Sequence, residues 1–139
     1  MLSQLIYVSK RDKTCTEEEI EKILLACKKN NQKRDITGVL LYSPTHFVQY
    51  LEGNYSEISD LYSIIKKDPR HKDAIMLGNS PIKNRSFPSW QMGAKKFNES
   101  TIEYSSNMEE SELSTFQRIL DGKNSENSEM IAVINKFFR

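Results

Sequence analysis

The sequence predicts an α/β (α+β) protein, a ferredoxin-like βαββαβ sandwich with an extra strand and two C-terminal helices. Short runs of β-branched and aromatic residues alternate with segments of helical periodicity in the order βαββαβ(β). Two helices placed between strands in this order favour a sheet with both helices on one face. The other face then needs its own cover, and two apolar-periodic segments follow near the C-terminus.

The first strand and the first helix come from the N-terminal third of the chain. The run SQLIYVS is rich in β-branched and aromatic residues and precedes the turn-prone KRDKT, so it predicts a strand. In TCTEEEIEKILLACKKNN, Thr16 and Glu19 have the spacing of an N-terminal capping box. Asn30 and Asn31 are expected to end this helix, because asparagine serves as a left-handed C-cap, and a pair leaves one side chain to bind a ligand. The apolar stripe of the helix comprises Ile20, Ile23, Leu24 and Cys27.

A hairpin, a second helix and a fourth strand follow. ITGVLLY and HFVQYLEG are both strand-like, and residues 43–45 predict the turn between them because Pro44 does not fit a central strand. Asn54 or Ser56 caps the next helix, which should end before Pro69 because the residue before a proline avoids the α region. DAIMLGNSPI then predicts a fourth strand. The inward positions of the helix are Ile58, Leu61, Tyr62 and Ile65.

The C-terminal part predicts one short strand and two helices. RSFPSWQMGAKKF favours a fifth strand around Trp90 to Ala94. The polar stretch NESTIEYSSNMEESE separates it from LSTFQRIL and SEMIAVINKFF, whose periodicity is helical. We expect one domain at residues 1–97 and a helical extension at residues 98–139. The extension is expected to cover the bare face of the sheet, to pair protomers in an oligomer, or to carry an output.

Composition argues against several classes of protein. Twenty basic and nineteen acidic side chains leave a formal charge of +1, and the aromatic-rich RNP signature is missing, so no nucleic-acid partner is indicated. No apolar run approaches the roughly 18 to 20 residues that cross a bilayer, so no membrane partner is expected. Cys15 and Cys27 are the only thiols, and the N-terminus lacks a secretory signal. These features predict a cytoplasmic protein with reduced thiols.

The sequence lacks the motifs of common enzyme and metal sites. His46, His71 and the two cysteines have no metal-ligand spacing such as C-x-x-C. Neither G-x-G-x-x-G nor G-x-x-x-x-G-K occurs, so no glycine-rich phosphate loop is predicted. No serine lies in G-x-S-x-G, and neither cysteine has a motif-linked histidine. Polar residues on strands and at helix ends therefore become the candidates.

Gln49 and Tyr7 are the candidates on strands. By its period of two, Gln49 shares the inward face of HFVQYLEG with Phe47 and Leu51, although an edge or solvent-facing position stays open. A buried amide without a partner costs about 1 to 3 kcal/mol, so an inward Gln49 implies something to bond. Tyr7 is either an ordinary core aromatic or a phenol donor beside Gln49. In the second case the pair is a hydrogen-bond and redox relay.

Five separated motifs resemble the BLUF family, the sensors of blue light using FAD. They are LIYVS, NN followed by ITGVLLY, FVQYLEG, LYSIIKKDPRH and RSFPSWQMG, and they run from about residue 2 to residue 97 in the family's order. The resemblance implies a ferredoxin-like domain with the flavin ring between the two helices and its polar edge against the sheet. FAD is the implied cofactor, with FMN or riboflavin as alternatives.

The resemblance also implies the roles of individual residues. Tyr7 would give an electron and a proton toward the excited flavin, and Gln49 would lie between that phenol and flavin N5 and O4. Asn31 would hold the O4 and N3 edge. From their position after the second helix alone, Arg70 and His71 either face solvent or contact a carbonyl or a phosphate. The other implied residues are Asn30, Arg70 and His71 at the pyrimidine or phosphoribityl side, Ile23 and Leu24 against the ring, and Ser9, Trp90 and Met92 near the glutamine.

The implied function is a blue-light photoreceptor that is not an enzyme. Roughly forty residues after the sensor are too few for an attached effector domain, so a short stand-alone type is expected. Its signal would leave through the fifth strand and the C-terminal helices to an unknown downstream protein or a homo-oligomer, a dimer or a larger ring. Two other classes stay open: a small flavin-dependent oxidoreductase or acylphosphatase-like hydrolase, and a flavin-free interaction module.

Overall fold

The computed structural model describes residues 1–90, 92–98 and 108–138. These residues form one five-stranded sheet in the order β4-β1-β3-β2-β5. Neighbouring strands are antiparallel except β2 and β5, which are parallel. The predicted ferredoxin-like arrangement is thereby confirmed, with the extra strand on the β2 edge. The elements are β1 Leu2–Arg11, α1 Glu17–Arg34, β2 Thr37–Tyr42, β3 His46–Asn54, α2 Tyr55–Lys67, β4 His71–Pro81, β5 Gly93–Lys96, α3 Glu110–Leu120 and α4 Asn127–Phe138.

Helix α1 is capped as predicted at its start but ends later than predicted. The Thr16 side chain accepts a hydrogen bond from the Glu19 amide at 3.3 Å. The expectation that Asn30 and Asn31 end the helix is wrong, since α1 continues to Arg34. Good helix formers follow the asparagines, and the left-handed cap is the next acidic residue, Asp35, with φ 55° and ψ 43°.

The hairpin and α2 have the predicted form. Strands β2 and β3 pair from Thr37 opposite Glu52 to Tyr42 opposite Phe47, and residues 43–45 form the connection. The Asn54 side chain accepts a hydrogen bond from the amide of Ser56 at 3.1 Å, which caps α2. The helix ends at Lys67, ahead of the proline at position 69.

The last two strands differ from their predicted bounds. Strand β4 begins at His71 and not at Asp73, so His71 lies in the sheet. Strand β5 begins at Gly93 and runs to Lys96, whereas the prediction began it at Trp90. The Trp90 amide donates to the Phe87 carbonyl, as in a turn, and the Trp90 carbonyl accepts from the amide of Gly38 in β2. One backbone hydrogen bond to β2 therefore precedes the first residue of β5. Residue 91 lies outside the described residues.

The sheet separates two apolar cores. Helices α1 and α2 cover one face, and α3 and α4 cover the other. Because side chains alternate along a strand, Tyr7 and Gln49 share the α1/α2 face, while Tyr50 lies on the α3/α4 face. The first core includes Leu5, Tyr7, Ile20, Leu40, Phe47, Leu51, Ile58 and Tyr62, and the second includes Ile6, Val8, Val39, Leu41, Val48, Phe116, Ile119, Met130, Val133, Ile134 and Phe137.

Among residues 1–90, 92–98 and 108–138, no helix has both the length and the apolar character needed to cross a membrane. Nor do three or more histidine, cysteine or carboxylate side chains converge as a metal site within this described part.

Candidate functional site

A cavity of about 170 Å³ lies on the α1/α2 face of the sheet. The sheet forms its floor and the two helices form its walls. Residues predicted to bind the cofactor supply half of its lining: Tyr7, Ile23, Asn30, Asn31, Gln49, Arg70 and His71. The sequence analysis did not single out the other lining residues for the site: Ala26, Cys27, Leu40, Leu61, Ile64, Ile65 and Asp68.

The floor of the cavity carries Tyr7 and Gln49 as a hydrogen-bonded pair. The two residues stand directly opposite each other in the β1–β3 register. The Tyr7 hydroxyl donates to Gln49 Oε1 at 2.5 Å, and only 1% of Tyr7 and 2% of Gln49 are exposed. Since β3 is the central strand, an edge or solvent-facing position for Gln49 is ruled out. The predicted inward amide therefore has a partner.

Gln49 also contacts the segment before β5. Its Nε2 group donates to the sulfur of Met92 at 3.3 Å. Both ends of the amide are therefore engaged, the oxygen by Tyr7 and the nitrogen by Met92. A rotation of the amide about its last torsion would exchange the two ends and break both contacts. Gln49 is thus a side chain with two distinguishable hydrogen-bonding arrangements.

Burial controls the protonation of Tyr7. Removal from water raises the pKa of this phenol well above its ordinary value of 10.0, with smaller contributions from Cys27 and other neighbours. The phenol is therefore neutral and holds its proton in the hydrogen bond to Gln49. The ring of Tyr62, a buried α2 residue, lies 5.4 Å from the Tyr7 ring. A second tyrosine accordingly stands beside the pair.

The helical walls are mostly apolar. Ile23 and Cys27 lie one turn apart on α1 and both line the cavity, because residues at i and i+4 share a helix face. Leu24 does not line the cavity, contrary to its predicted place, and packs into the adjacent core. One position along a helix turns the side chain by about 100°, which explains the difference. On α2 the lining residues are Leu61, Ile64 and Ile65, and Ile64 is 55% exposed.

The two asparagines occupy different environments at the α1 wall. Asn31 is completely buried, while Asn30 is exposed on the outside of the helix turn, although both line the cavity. Their backbones are helical and Asp35 is the C-cap, so neither asparagine has the capping role that the sequence suggested. An amide presents donor and acceptor groups side by side, as a heterocyclic ligand edge does.

Asp68 and Arg70 form an ion pair that also lines the cavity. Arg70 donates to both Asp68 oxygens, with Nη2 to Oδ2 at 2.6 Å and Nε to Oδ1 at 3.0 Å. The hydrogen bonds from Arg70 lower the pKa of Asp68. Glu19 of α1 lies 3.5 Å from the same guanidinium. The carboxylates of Asp68 and Glu19 thereby fix Arg70 at the cavity. The position of Asp68, directly before the proline, is the sequence signal that could have indicated its place in the site.

His71 is half-buried, and its imidazole is neutral. The Ser9 hydroxyl and His71 Nδ1 are 2.8 Å apart, and the Phe47 ring is 4.5 Å from the imidazole. Burial lowers the pKa of His71 from 6.5 to about 4. Ser9 does not line the cavity but holds a residue that does. The alternative of a solvent-facing His71 is therefore excluded.

Trp90 and Met92 lie on opposite faces of the sheet. Met92 is buried beside Gln49, as predicted. Trp90 is not near the glutamine and packs in the α3/α4 core, with ring centroids 5.2 Å from Phe87 and 5.4 Å from Phe138 of α4. The segment between β4 and β5 thus touches both cores.

The cavity suits a flat ligand with an apolar body and one polar edge. Aliphatic side chains of α1 and α2 face each other across it, and amide, phenol and imidazole groups stand at its floor and rim. An isoalloxazine ring has this character, so the donor set fits a flavin. Fold and cavity together define a ligand-binding α+β domain with a phenol and an amide joined at the cavity floor.

The sequence matches a known family across most of this domain. The family described as sensors of blue light using FAD, BLUF, matches residues 2–93. The chain therefore belongs to the BLUF family.

Relatives support this assignment. Over 88 residues the chain is 34% identical to photoactivated adenylate cyclase subunit beta of Euglena longa, which covers 63% of this chain and 10% of that protein. Over 77 residues it is 35% identical to the blue light- and temperature-regulated antirepressor BluF of Escherichia coli (strain K12), which covers 55% of this chain and 19% of that protein. The chain spans only a small part of either relative.

Solved structures agree with the fold. BlrB, a BLUF protein in its dark state, superposes with a TM-score of 0.77 and 27% identity, covering 99% of this chain and 94% of that one. A bacterial light-regulated adenylyl cyclase gives a TM-score of 0.71 and 32% identity, covering 89% of this chain and 40% of that one. The predicted family, fold class and membership of the blue-light flavin sensors are thereby confirmed.

Proposed function

We propose that this chain is a blue-light photoreceptor that binds FAD non-covalently and switches the hydrogen bonds of Gln49. The single observation that carries the proposal is the buried hydrogen bond from Tyr7 to Gln49 at the floor of the cavity. It joins an oxidisable phenol to a side chain with two arrangements. The similarity to the sensors of blue light using FAD supports the same reading.

The cavity residues divide the work of binding. We assign the polar ring edge to Asn31 with Gln49, and the flanking pyrimidine or phosphoribityl groups to Asn30, Arg70 and His71. Apolar contact with the ring is assigned to Ile23 with its α2 neighbours across the cavity. FAD is the proposed flavin. FMN is the alternative, because a solved structure of Klebsiella pneumoniae BlrP1, which is 26% identical to this chain, is described as containing FMN. Chromatography of the pigment released by denaturation would distinguish FAD from FMN and riboflavin.

The chain's own residues carry out the switch. A bound flavin supplies blue-light absorption and, once excited, an electron acceptor. Tyr7 would be the donor of one electron to that acceptor, and its phenolic proton would pass to Gln49 along their hydrogen bond. Gln49, relieved of its donor, would rearrange by rotation or tautomerisation. Return of one electron and one proton would restore the Tyr7 phenol while the new amide arrangement persists, so no substrate would be turned over.

We propose that the output lies on the other side of the sheet. The domain at residues 1–97 would sense light, and the extension at residues 98–139 would transmit the change through α3 and α4. Trp90 contacts Phe138 of α4, which supports this route. The partner is an unidentified cytoplasmic protein or a second copy of this chain. The relatives named above are themselves an adenylate cyclase subunit and an antirepressor, and neither activity is proposed for this chain.

A second candidate class, a flavin-dependent oxidoreductase, can be tested directly. We propose that the chain has no enzymatic activity of its own. Bleaching of the flavin by NADH in the dark would revive the oxidoreductase. A colourless protein after purification with added flavin would instead favour an interaction module.

Replacing Tyr7 by Phe tests the proposed function. The Y7F protein should bind flavin and remain yellow, because the ring volume is kept, but its blue-light red shift should vanish because the electron donor is gone. Absorption spectra before and after illumination measure both properties. Y62F is the matched control, since Tyr62 neighbours Tyr7 without touching Gln49 in any described hydrogen bond, and it should keep the shift. Normal photoconversion of Y7F would refute the donor role.

A further inference from the structure

Glu52 is a fully buried carboxylate on β3 that the switch described above does not use. It lies three positions after Gln49 and therefore on the opposite face of the strand, with 0% exposure. A buried carboxylate is tolerated only when its oxygens are hydrogen-bonded. Four donors serve Glu52: the amides of Ser86 and Phe87 and the hydroxyls of Thr37 and Tyr50.

Two of these donors belong to the chain between β4 and β5. We call residues 85–90 the crossing segment, because it connects strands at opposite edges of the sheet. The Glu52 carboxylate accepts from the first two amides after Arg85. Arg85 adds bonds to the Glu52 carbonyl at 3.1 Å and to the Thr37 hydroxyl at 2.8 Å. The start of the crossing segment is thus tied to β2 and β3.

The other end of the crossing segment leads to the switch. The Trp90 carbonyl accepts from the Gly38 amide at 2.9 Å, and Met92 follows two positions later with its sulfur on the Gln49 amide. Glu52 and Gln49, on opposite faces of one strand, therefore hold the two ends of the same stretch of chain. We expect a displacement of the Ser86 and Phe87 end to move the Met92 sulfur.

We propose that Glu52 is a positioning residue that holds the crossing segment so that the Met92 sulfur accepts the hydrogen bond from Gln49 Nε2, and thereby speeds the return from the lit state. The inference rests on the proposed function. Rotation of the amide turns its oxygen toward the Met92 sulfur, which then has no N–H donor. The Met92 contact thus favours the dark arrangement over the rotated one.

The first test measures whether Glu52 holds the crossing segment. In Glu52→Gln the side chain keeps its shape but replaces one acceptor oxygen by an NH₂ group. Whichever oxygen is replaced, the NH₂ group faces the backbone amide of Ser86 or of Phe87 and cannot accept from it. Hydrogen–deuterium exchange on the purified full chain in the dark should be faster at Ser86 and Phe87 in E52Q. Glu57→Gln is the matched control, because Glu57 of α2 pairs with Arg34 of α1 and makes no described hydrogen bond to the crossing segment.

The second test measures the return to the dark state after a blue flash. E52Q should recover about two- to fivefold more slowly than wild type, the effect of losing one weak hydrogen bond. Met92→Leu should slow recovery to a similar degree, and E52Q/M92L should be no slower than M92L alone, because both act through one contact. E57Q should recover like wild type. If E52Q does not fold, Arg85→Gln replaces it in both tests and in the cycle.

Each outcome decides the proposal. Unchanged exchange at Ser86 and Phe87, unchanged recovery, or effects of E52Q and M92L that multiply would overturn the positioning role. A wild-type protein that binds flavin but shows no light-induced shift would overturn the proposed function itself. If the wild-type protein shows no shift and E52Q nevertheless exchanges faster, Glu52 anchors the crossing segment but has no role in a light switch. This outcome also overturns the proposal.

Discussion

Gln49 links the Tyr7 phenol to the segment before β5. Its oxygen accepts from Tyr7 and its nitrogen donates to Met92, so one amide joins the phenol to a different part of the chain. The strand register brings Tyr7 and Gln49 together, because they are direct cross-strand partners. At the scale of single residues, the proposed switch therefore starts from one pair of neighbouring side chains.

Replacement of Gln49 by Leu tests this link. The Q49L side chain is similar in size to glutamine, so the protein should retain flavin. The substitution removes both amide contacts. The light-induced red shift should disappear, and a buried Tyr7 hydroxyl without its acceptor should lower the free energy of unfolding by about 1 to 3 kcal/mol. Absorption difference spectra and urea denaturation measure the two effects. A full, dark-reversible shift in Q49L would refute the relay.

His71 gives a stability that depends on pH. The folded protein keeps this imidazole neutral down to about pH 4, while the unfolded chain takes up a proton near 6.5. Between these values the unfolded state binds more protons, so the free energy of unfolding should fall by about 2 kcal/mol from about pH 7 to about pH 5. Urea denaturation at both pH values measures it. His71→Gln, which cannot titrate, should lose most of this dependence; an unchanged dependence would exclude His71 as the cause.

At the scale of single residues, the sequence predicted the polar residues of the cavity better than the residues that surround them. Strand periodicity, a local property, indicated an inward face for Gln49. Its pairing with Tyr7 depends on the register of two strands whose partners are 42 positions apart, and only the family resemblance implied it. Asp68 was missed because its contribution arises from an ion pair with Arg70 that depends on how the helix ends. Leu24 was assigned to the ring although it lies one position from Ile23, because periodicity alone does not fix the rotation of a helix about its axis.

The short strand β5 and the turn before it connect the two faces of the sheet. The Trp90 indole lies against Gly93, where an added Cβ would come within 2.3 Å of the ring. Phe87 and Phe138 complete its surroundings. Glycine at position 93 is therefore what allows the indole to occupy this place while Met92 faces Gln49.

Replacement of Gly93 by Ala should expel the Trp90 indole. Trp90 is the only tryptophan, so its fluorescence reports directly on this position. We expect emission at longer wavelength and stronger quenching by acrylamide, since the ring becomes more exposed. Ala94→Ser, at the exposed neighbouring position of β5, is the control and should leave the emission unchanged. Emission of G93A equal to wild type would show that the ring does not depend on the glycine.

Element bounds were predictable where a local cap sets them. Thr16 and Asn54 begin their helices as expected, because side-chain capping is encoded within a few residues. The end of α1 was not predictable in this way. Three good helix formers follow the asparagines and extend the helix, so Asp35 adopts the left-handed cap conformation in their place. The start of β5 was also missed, because its pairing with β2 is parallel and depends on residues far away in sequence.

At the scale of the whole molecule, the sheet separates the cavity from the layer formed by α3 and α4. The cavity lies on the α1/α2 face, while α3 and α4 fill the other face with aromatic and aliphatic side chains. Within the described residues, the sheet and the chain between β4 and β5 contact both sides. The βαββαβ order predicted this layering, but not which residues of the tail contact Trp90, since that depends on packing between distant segments.

The most direct test of the photoreceptor assignment is the absorption spectrum of the purified full chain before and after blue light. A flavin spectrum that shifts slightly to longer wavelength on illumination and returns in the dark is the predicted result, because the phenol is restored and only the Gln49 hydrogen bonds differ. A protein without flavin, or a flavin spectrum that bleaches or does not change under blue light, would contradict it.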